Sequence, residues 1–324
     1  KRGQKLTEGS VCEMGVRNRR GLGARERIKV AFIDRNGKGE GEVGGFGLFG
    51  GESGLGSGPT GGQRGGEGAI EGVPVGIQGF FGTNIFPTGW GTTFYDGHQP
   101  SRNASCVEMF IRAGAIPFGK TVTTEFAYFK PGKTANPHNL NHTPGGSSSG
   151  SAAAVADNML PFGFGSQTAA SLIRPAAYCG IAGYKASHGS FDLQGVMSLS
   201  PSLDTLGFIA REIEDFELAR SVLCGSTPAK LIDLEAAPLR ISLFRGPHWQ
   251  AGSLEMRDAC NRAVTGLKSV GAQTGELACP EAFTLLTAPQ KTVSLLATSD
   301  PAVHLLCLCL GARLTIYHTT THIY

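Results

Sequence analysis

The apolar residues of this chain fall into short runs that suit strands and longer 3.6-residue stripes that suit helices. Val73–Phe81 has the pattern of a buried strand. Asn103 stands in a capping position ahead of Cys106, Val107, Phe110 and Ile111, which share one helical face, and Gly114 follows as a stop. Ser149 or Ser151 is placed to cap a short helix over Ala152–Ala156. Ile213–Cys224 predicts a helix with Ile213, Phe216, Ala219, Val222 and Leu223 on one face and Gly225 at its end. Arg240–Phe244 reads as a strand. Ser253–Val270 predicts an amphipathic helix with Met256, Ala259, Cys260, Ala263, Val264 and Leu267 inward. Strands alternating with helices argue for an α/β layer fold. Beyond about Val293 the pattern fades, and no internal repeat is visible.

The same periodicities are missing before Gly72. Residues 1–70 hold 21 of the 48 glycines, too much backbone freedom to be offset by so few apolar groups, so no stable element is expected up to about Ala69. The expected organisation is therefore a glycine-rich basic head over 1–70, a folded core over 71–293 and an atypical tail over 294–324. Residues 1–38 carry 11 Lys/Arg against 4 Asp/Glu, yet the whole chain balances to only +3. The head reads as a solvated tail, and neither nucleic acid nor membrane is expected as a partner. Eight scattered cysteines make no disulfide scaffold, and the lone Cys307-x-Cys309 pair makes no metal site. Free thiols, the lack of a signal-peptide stretch and an apolar run (Ala302–Leu310) too short to span a bilayer lead to an expected cytoplasmic location.

The densest chemical signal lies in the middle. Pro144-Gly-Gly-Ser147-Ser148-Ser-Gly150-Ser is followed at once by Ala152-Ala-Ala-Val-Ala. Ser171 comes later, in Gly165-Ser-Gln-Thr-Ala-Ala-Ser171-Leu-Ile-Arg174-Pro. Alone, the first run would suit a flexible linker. The helix-forming stretch behind it and the second loop of hydroxyls argue otherwise: small residues let backbone approach a substrate, and hydroxyls there can act as nucleophile or proton relay.

Both segments resemble the signature of the Ser–cisSer–Lys amidases, the amidase signature family, and Ser198-Leu-Ser-Pro-Ser-Leu-Asp204-Thr-Leu-Gly207 is also similar to it. The similarity covers roughly Gly72 to Val293. It implies an α/β/α sandwich around a mixed sheet and hydrolysis of small amide C–N bonds through an acyl-enzyme. No cofactor or metal is implied, the partner is a small-molecule amide substrate, and a homodimer is left open. Carried over by position, Ser171 is the nucleophile and Ser147 the bridging serine, held in a cis peptide. The backbone N–H groups of Thr168, Ala169, Ala170 and Ser171 form the oxyanion hole. Arg174 and Ser148 fall at substrate-binding positions; the Ile-Arg-Pro-Ala arrangement looks most like malonamidase-type members, in which Arg174 would clamp a carboxylate, against the plainer reading of a structural arginine.

Three departures from the family matter. Ala169-Ala170 replaces the usual Gly-Gly before the nucleophile, which would strain the backbone if φ were positive there. Gln78, in Val75-Gly-Ile-Gln78-Gly79, occupies the place of the catalytic lysine, and an amide has no useful basicity. The chain also ends at Tyr324 without the family's last third, so a C-terminal truncation is expected. An impaired amidase is the first reading, and a non-catalytic binder of small carboxylate or amide ligands the second. Lys120, in a family-like segment that is structural in the family, is the alternative candidate for the missing base, with Lys185, in a family-like Gly-Tyr-Lys segment, behind it.

A third reading comes from Gly114-Ala-Ile-Pro-Phe-Gly-Lys120-Thr121, which fits the P-loop spacing of a nucleotide binder but is preceded by a helix and followed by β-branched residues. Gly146-Ser-Ser148-Ser-Gly150 fits a nucleophile elbow without the apolar strand ahead of it. Gly45-Phe-Gly47-Leu-Phe-Gly50 matches a dinucleotide fingerprint only as a glycine-rich tract would by chance, and His138 and His142 read as surface residues.

Overall fold

The computed structural model describes residues 46–49, 69–128, 130–229 and 239–285. In chain order its main elements are β1 (Phe46–Phe49), β2 (Pro74–Gln78), α1 (Ser105–Arg112), β3 (Ile116–Thr121), α2 (Ser149–Ala156), β4 (Phe162–Gln167) and α3 (Ile173–Tyr178). Then follow β5 (Ala182–Lys185), β6 (Thr205–Ala210), α4 (Glu214–Cys224), β7 (Arg240–Phe244), α5 (Leu254–Ser269), β8 (Gln273–Leu277) and α6 (Glu281–Leu285). The chain divides into two units between Ala229 and Lys230.

In the first unit six strands form one mixed sheet in the order β1-β3-β2-β4-β6-β5. β3, β2 and β4 run parallel, while β1, β6 and β5 join antiparallel. Phenylalanine and glycine alternate along β4, and period-2 geometry sends them to opposite faces. Phe162 and Phe164 meet Phe110 of α1 and Phe208 of β6, with ring centroids as close as 4.7 Å for Phe110–Phe164. The glycines face α2, where a Cβ on Gly163 would sit 3.2 Å from Ser151 Cβ and one on Gly165 would sit 2.8 Å from Leu172 Cδ1. Only a glycine face on the strand and a Ser/Gly/Ala helix allow this approach. Helices α1 and α4 thus bury Cys106, Val107, Phe110, Phe216 and Ala219 against one side of the sheet, and α2 and α3 cover the other with Ala152–Val155 and Ala176. This is the expected α/β/α sandwich around a mixed sheet.

Several local expectations change. The sequence reading places no element before Gly72, yet residues 46–49 form β1, paired to the edge of β3. Asn103 does not cap α1; its Oδ1 accepts from Asn84 N and its Nδ2 donates to Glu108, leaving Ala104 as the cap. Ile213 precedes α4 and is 64% exposed rather than inward. The P-loop reading fails, because Ile116–Thr121 is a fully buried strand whose backbone bonds both neighbours, leaving no loop of N–H groups for a phosphate.

In the second unit β7 and β8 pair in parallel, and α5 connects them with Ser253 capping Met256 N. None of the stripe expected inward on α5 is fully buried: Cys260, Val264 and Leu267 are half-buried, and Met256, Ala259 and Ala263 are exposed. The atypical tail over 294–324 and the Cys307–Cys309 pair lie outside the described residues.

Candidate active site

The parallel strands β2, β3 and β4 end on the same side of the sheet, and their carboxyl ends carry the polar residues singled out in the sequence. This is where open α/β sheets place their ligands. A cavity of about 260 Å³ opens there, with Ser147, Ser166, Thr168, Ser171 and Asp204 on its wall.

Ser147 follows Gly145, whose φ of +84° suits glycine, and the Gly146–Ser147 peptide bond is cis. A Cβ on Gly146 would stand 2.8 Å from Thr124 Cγ2, so only glycine fits against that threonine. The Ser147 carbonyl accepts from Thr124 N at 3.2 Å and from Thr123 Oγ1 at 3.1 Å. The Ser171 carbonyl accepts from Ser148 N at 3.0 Å, which brings the two serine segments side by side. Ser147 Oγ and Ser148 Oγ are buried and find no hydrogen-bond partner among the described residues.

Gln167 shapes the loop that carries Ser171. Its Nε2 donates to Ala169 O at 2.8 Å, while its Oε1 accepts from Leu172 N and Ile173 N at 3.1 and 3.0 Å. One buried amide thus closes the loop and caps α3. Among the described residues, the backbone N–H groups of Thr168, Ala169, Ala170 and Ser171 donate to no protein acceptor. Thr168 and Ser171 line the cavity, and open donors there are suited to receiving an oxygen that gains negative charge. Neither alanine has positive φ, so the replacement of Gly-Gly carries none of the left-handed strain considered for it.

Gln78 is fully buried at the end of β2. Its Oε1 accepts from Ser166 N at 2.9 Å, and because a backbone N–H can only donate, this contact fixes the amide's orientation. Nε2 therefore donates to Thr123 Oγ1 at 3.2 Å, and that hydroxyl in turn donates a hydrogen bond to the Ser147 carbonyl. The chain of donors points toward Ser147 throughout. Lys120 does not stand in for a base here: its Nζ donates to Phe81 O and, at 3.2 Å, to Thr88 Oγ1. Burial lowers its pKa from 10.5 to about 7. Lys185 Nζ donates to Ala186 O at 2.6 Å.

Arg174 and Ser148, carried over as substrate contacts, do not line the cavity. The Arg174 guanidinium turns inward instead, with Nη2 and Nε donating to the Gly146 carbonyl at 2.6 and 3.2 Å. His138 and His142 are exposed, as expected.

Asp204 is the residue the sequence reading passed over. Its Oδ2 accepts from Ser198 Oγ, Leu199 N and Ser200 N at 2.8–2.9 Å, and its Oδ1 accepts from Thr168 Oγ1. A single carboxylate thus ties the 198–204 wall of the cavity to the first residue of the N–H run. The signal available was an aspartate four to six residues after a Ser-Leu-Ser run, the spacing at which a carboxylate folds back onto its own loop. Among the described residues there is no group of His, Cys, Asp and Glu able to hold a metal and no helix long and apolar enough to cross a membrane.

Comparison with known proteins gives the chain's family and fold. The chain is 32% identical over 232 residues to a glutamyl-tRNA(Gln) amidotransferase subunit from Gloeothece citriformis, covering 66% of this chain and 48% of that protein. It is 38% identical over 170 residues to the corresponding subunit from Methanosarcina acetivorans, covering 50% of this chain and 35% of that protein. The chain therefore spans about half, or less, of the length of these relatives. In fold it is similar to the native peptide amidase of Stenotrophomonas maltophilia, with a TM-score of 0.74 at 23% identity over 90% of this chain and 66% of that one. The glutamyl-tRNA(Gln) amidotransferase subunit of Thermotoga maritima superposes with a TM-score of 0.72 at 19% identity, covering 96% and 70% of the two chains. A family model described as Amidase matches residues 61–301, a span that contains the paired serines, the unpartnered N–H run and Gln78, and the chain belongs to that family.

Proposed function

We propose that this chain carries the acyl-transfer half of an amide hydrolase without the base that would drive it. Ser171 Oγ would attack the amide carbonyl carbon, the N–H groups of residues 168–171 would receive the oxyanion, and the C–N bond would break as the leaving nitrogen takes a proton. Water would then release the acid from Ser171. Each step needs a group that accepts the hydroxyl proton through Ser147 and returns it to the leaving nitrogen.

The observation that carries this reading is the orientation of Gln78. Its oxygen is committed to Ser166 N and its nitrogen is a donor, so nothing at that position accepts a proton. Loss of a positioned base lowers rates about 10²–10⁴-fold. The native chain is thus an impaired amidase or, where turnover is negligible, a binder of small amide or carboxylate ligands. The latter is favoured by the donors that remain open: Ser147 Oγ and the N–H run.

The test is ammonia release from a panel of small amides by the native chain and Gln78→Lys. The lysine variant is expected to be faster by about 10²-fold or more, and that activity should vanish when Ser171→Ala is added. Native turnover equal to that of the lysine variant, abolished by Ser171→Ala, would refute the assignment of Gln78.

A further inference from the structure

The substrate-binding expectation placed a carboxylate-bearing amide against Arg174. The cavity itself argues for different chemistry. We infer that it is built for an uncharged amide with an apolar acyl group. This rests on the amide reading above and deepens it by naming the substrate class.

The apolar lining of the cavity includes Phe80, Leu193, Val196, Met197, Leu199 and Pro201, with Ser198 among them. Among the described residues no lysine, arginine or histidine lines it, and the charged side chain on its wall is Asp204. That carboxylate accepts from four donors and has none to offer a ligand. A second carboxylate on the ligand would enter a site with no cation and one like charge, losing its hydration without a partner. Arg174 is not among the residues that line the cavity, and its Nε and Nη2 hold the Gly146 carbonyl.

The wall is fixed to the sheet rather than loose. Met197 N donates to Phe80 O at 2.9 Å, Phe81 bridges Val196, and Asp204 anchors Leu199 and Ser200. The same cavity carries Ser147, Thr168 and Ser171 beside its apolar lining. A ligand that matches both presents a carboxamide to these polar groups and a branched or aromatic acyl group to the apolar residues.

Binding to the native chain tests this without relying on turnover. Benzamide, isobutyramide, benzoate and malonamate are titrated by calorimetry into the full chain. The two apolar amides are expected to bind saturably, at least about tenfold tighter than malonamate, with benzoate weaker than benzamide. Leu199→Arg places a cation on the wall and should reverse the order in favour of malonamate. If that variant fails to fold, the native comparison alone decides. Malonamate or benzoate binding the native chain more tightly than benzamide, or no saturable binding of either apolar amide, overturns the inference. Turnover by Gln78→Lys reports on the missing base separately, so the two readings fail independently.

Discussion

Lys120 offers the strongest test of the packing beneath the site. Its ammonium is buried on β3, and desolvation lowers its pKa from 10.5 to about 7. The sign of the pH effect follows from proton counting. Below about pH 7 both folded and unfolded chains hold the proton, and the folded state bears the full cost of burying the charge. That cost is about 5 kcal/mol for a displacement of this size. Between pH 7 and 10 the folded chain has shed the proton while the unfolded chain keeps it, so stability rises with pH. From pH 7 to pH 9 the gain is about 2 kcal/mol. The window closes near pH 9, because Cys106 and Cys179, pushed up to about 12 by burial, ionise only in the unfolded chain from about pH 8 and take back about 1 kcal/mol of that gain by pH 9. The assay is urea unfolding followed by Trp90 fluorescence in a Trp249→Phe background, so that only the first unit reports. Lys120→Met loses the bonds to Phe81 and Thr88 and so shifts stability at every pH, but it should flatten the slope. A native stability that is level or falling from pH 7 to pH 9, or a slope unchanged in Lys120→Met, would refute the buried neutral amine.

Two further outcomes follow from the contacts around the cavity. Asp204→Ala strips acceptors from Thr168 Oγ1, Ser198 Oγ, Leu199 N and Ser200 N and is expected to cost about 3–5 kcal/mol by urea unfolding, whereas Asp204→Asn should cost less because its oxygen can still take the two backbone N–H groups. Gly207→Ala drives a Cβ into the Tyr184 carbonyl oxygen inside the sheet, and a cost of about 3 kcal/mol should lower the melting temperature by roughly 6–12 °C.

The sheet and the helices around it were legible because burial leaves a periodic trace. The Val73–Phe81 run contained β2, and the Cys106–Val107–Phe110 stripe contained the buried face of α1. The same logic failed on α5, whose stripe is as regular but is not fully buried among the described residues. Periodicity tells which face can be covered; it does not supply the cover. β1 was hidden for the opposite reason, since four residues among glycines show no period and are held by pairing to the β3 edge rather than by their own pattern.

The site divides along a similar line. Paired serines in small-residue runs announce themselves because backbone can approach only where side chains are small. The residues that aim those runs did not, because each acts through one long-range hydrogen bond. Gln78 reaches Ser166 across 88 residues, and Thr123 reaches Ser147 across 24. Arg174 shows how such a link changes meaning. A guanidinium three residues past Ser171, the nucleophile by resemblance, suits a carboxylate clamp by spacing, but an oxygen of the chain itself, on Gly146, takes two of its donors. Gln78 is the converse case. In the proposed reading its identity removes the base, and its orientation makes it both an acceptor, from Ser166 N, and a donor, to Thr123 Oγ1. A hydrophobic replacement would orphan Ser166 N and cut the donor line to Ser147, at about 1–3 kcal/mol for each buried group left unpaired. On the proposed reading glutamine keeps these hydrogen bonds with no proton acceptor behind Ser147, which is why restoring a single amine is the perturbation that separates a silenced amidase from a binding protein.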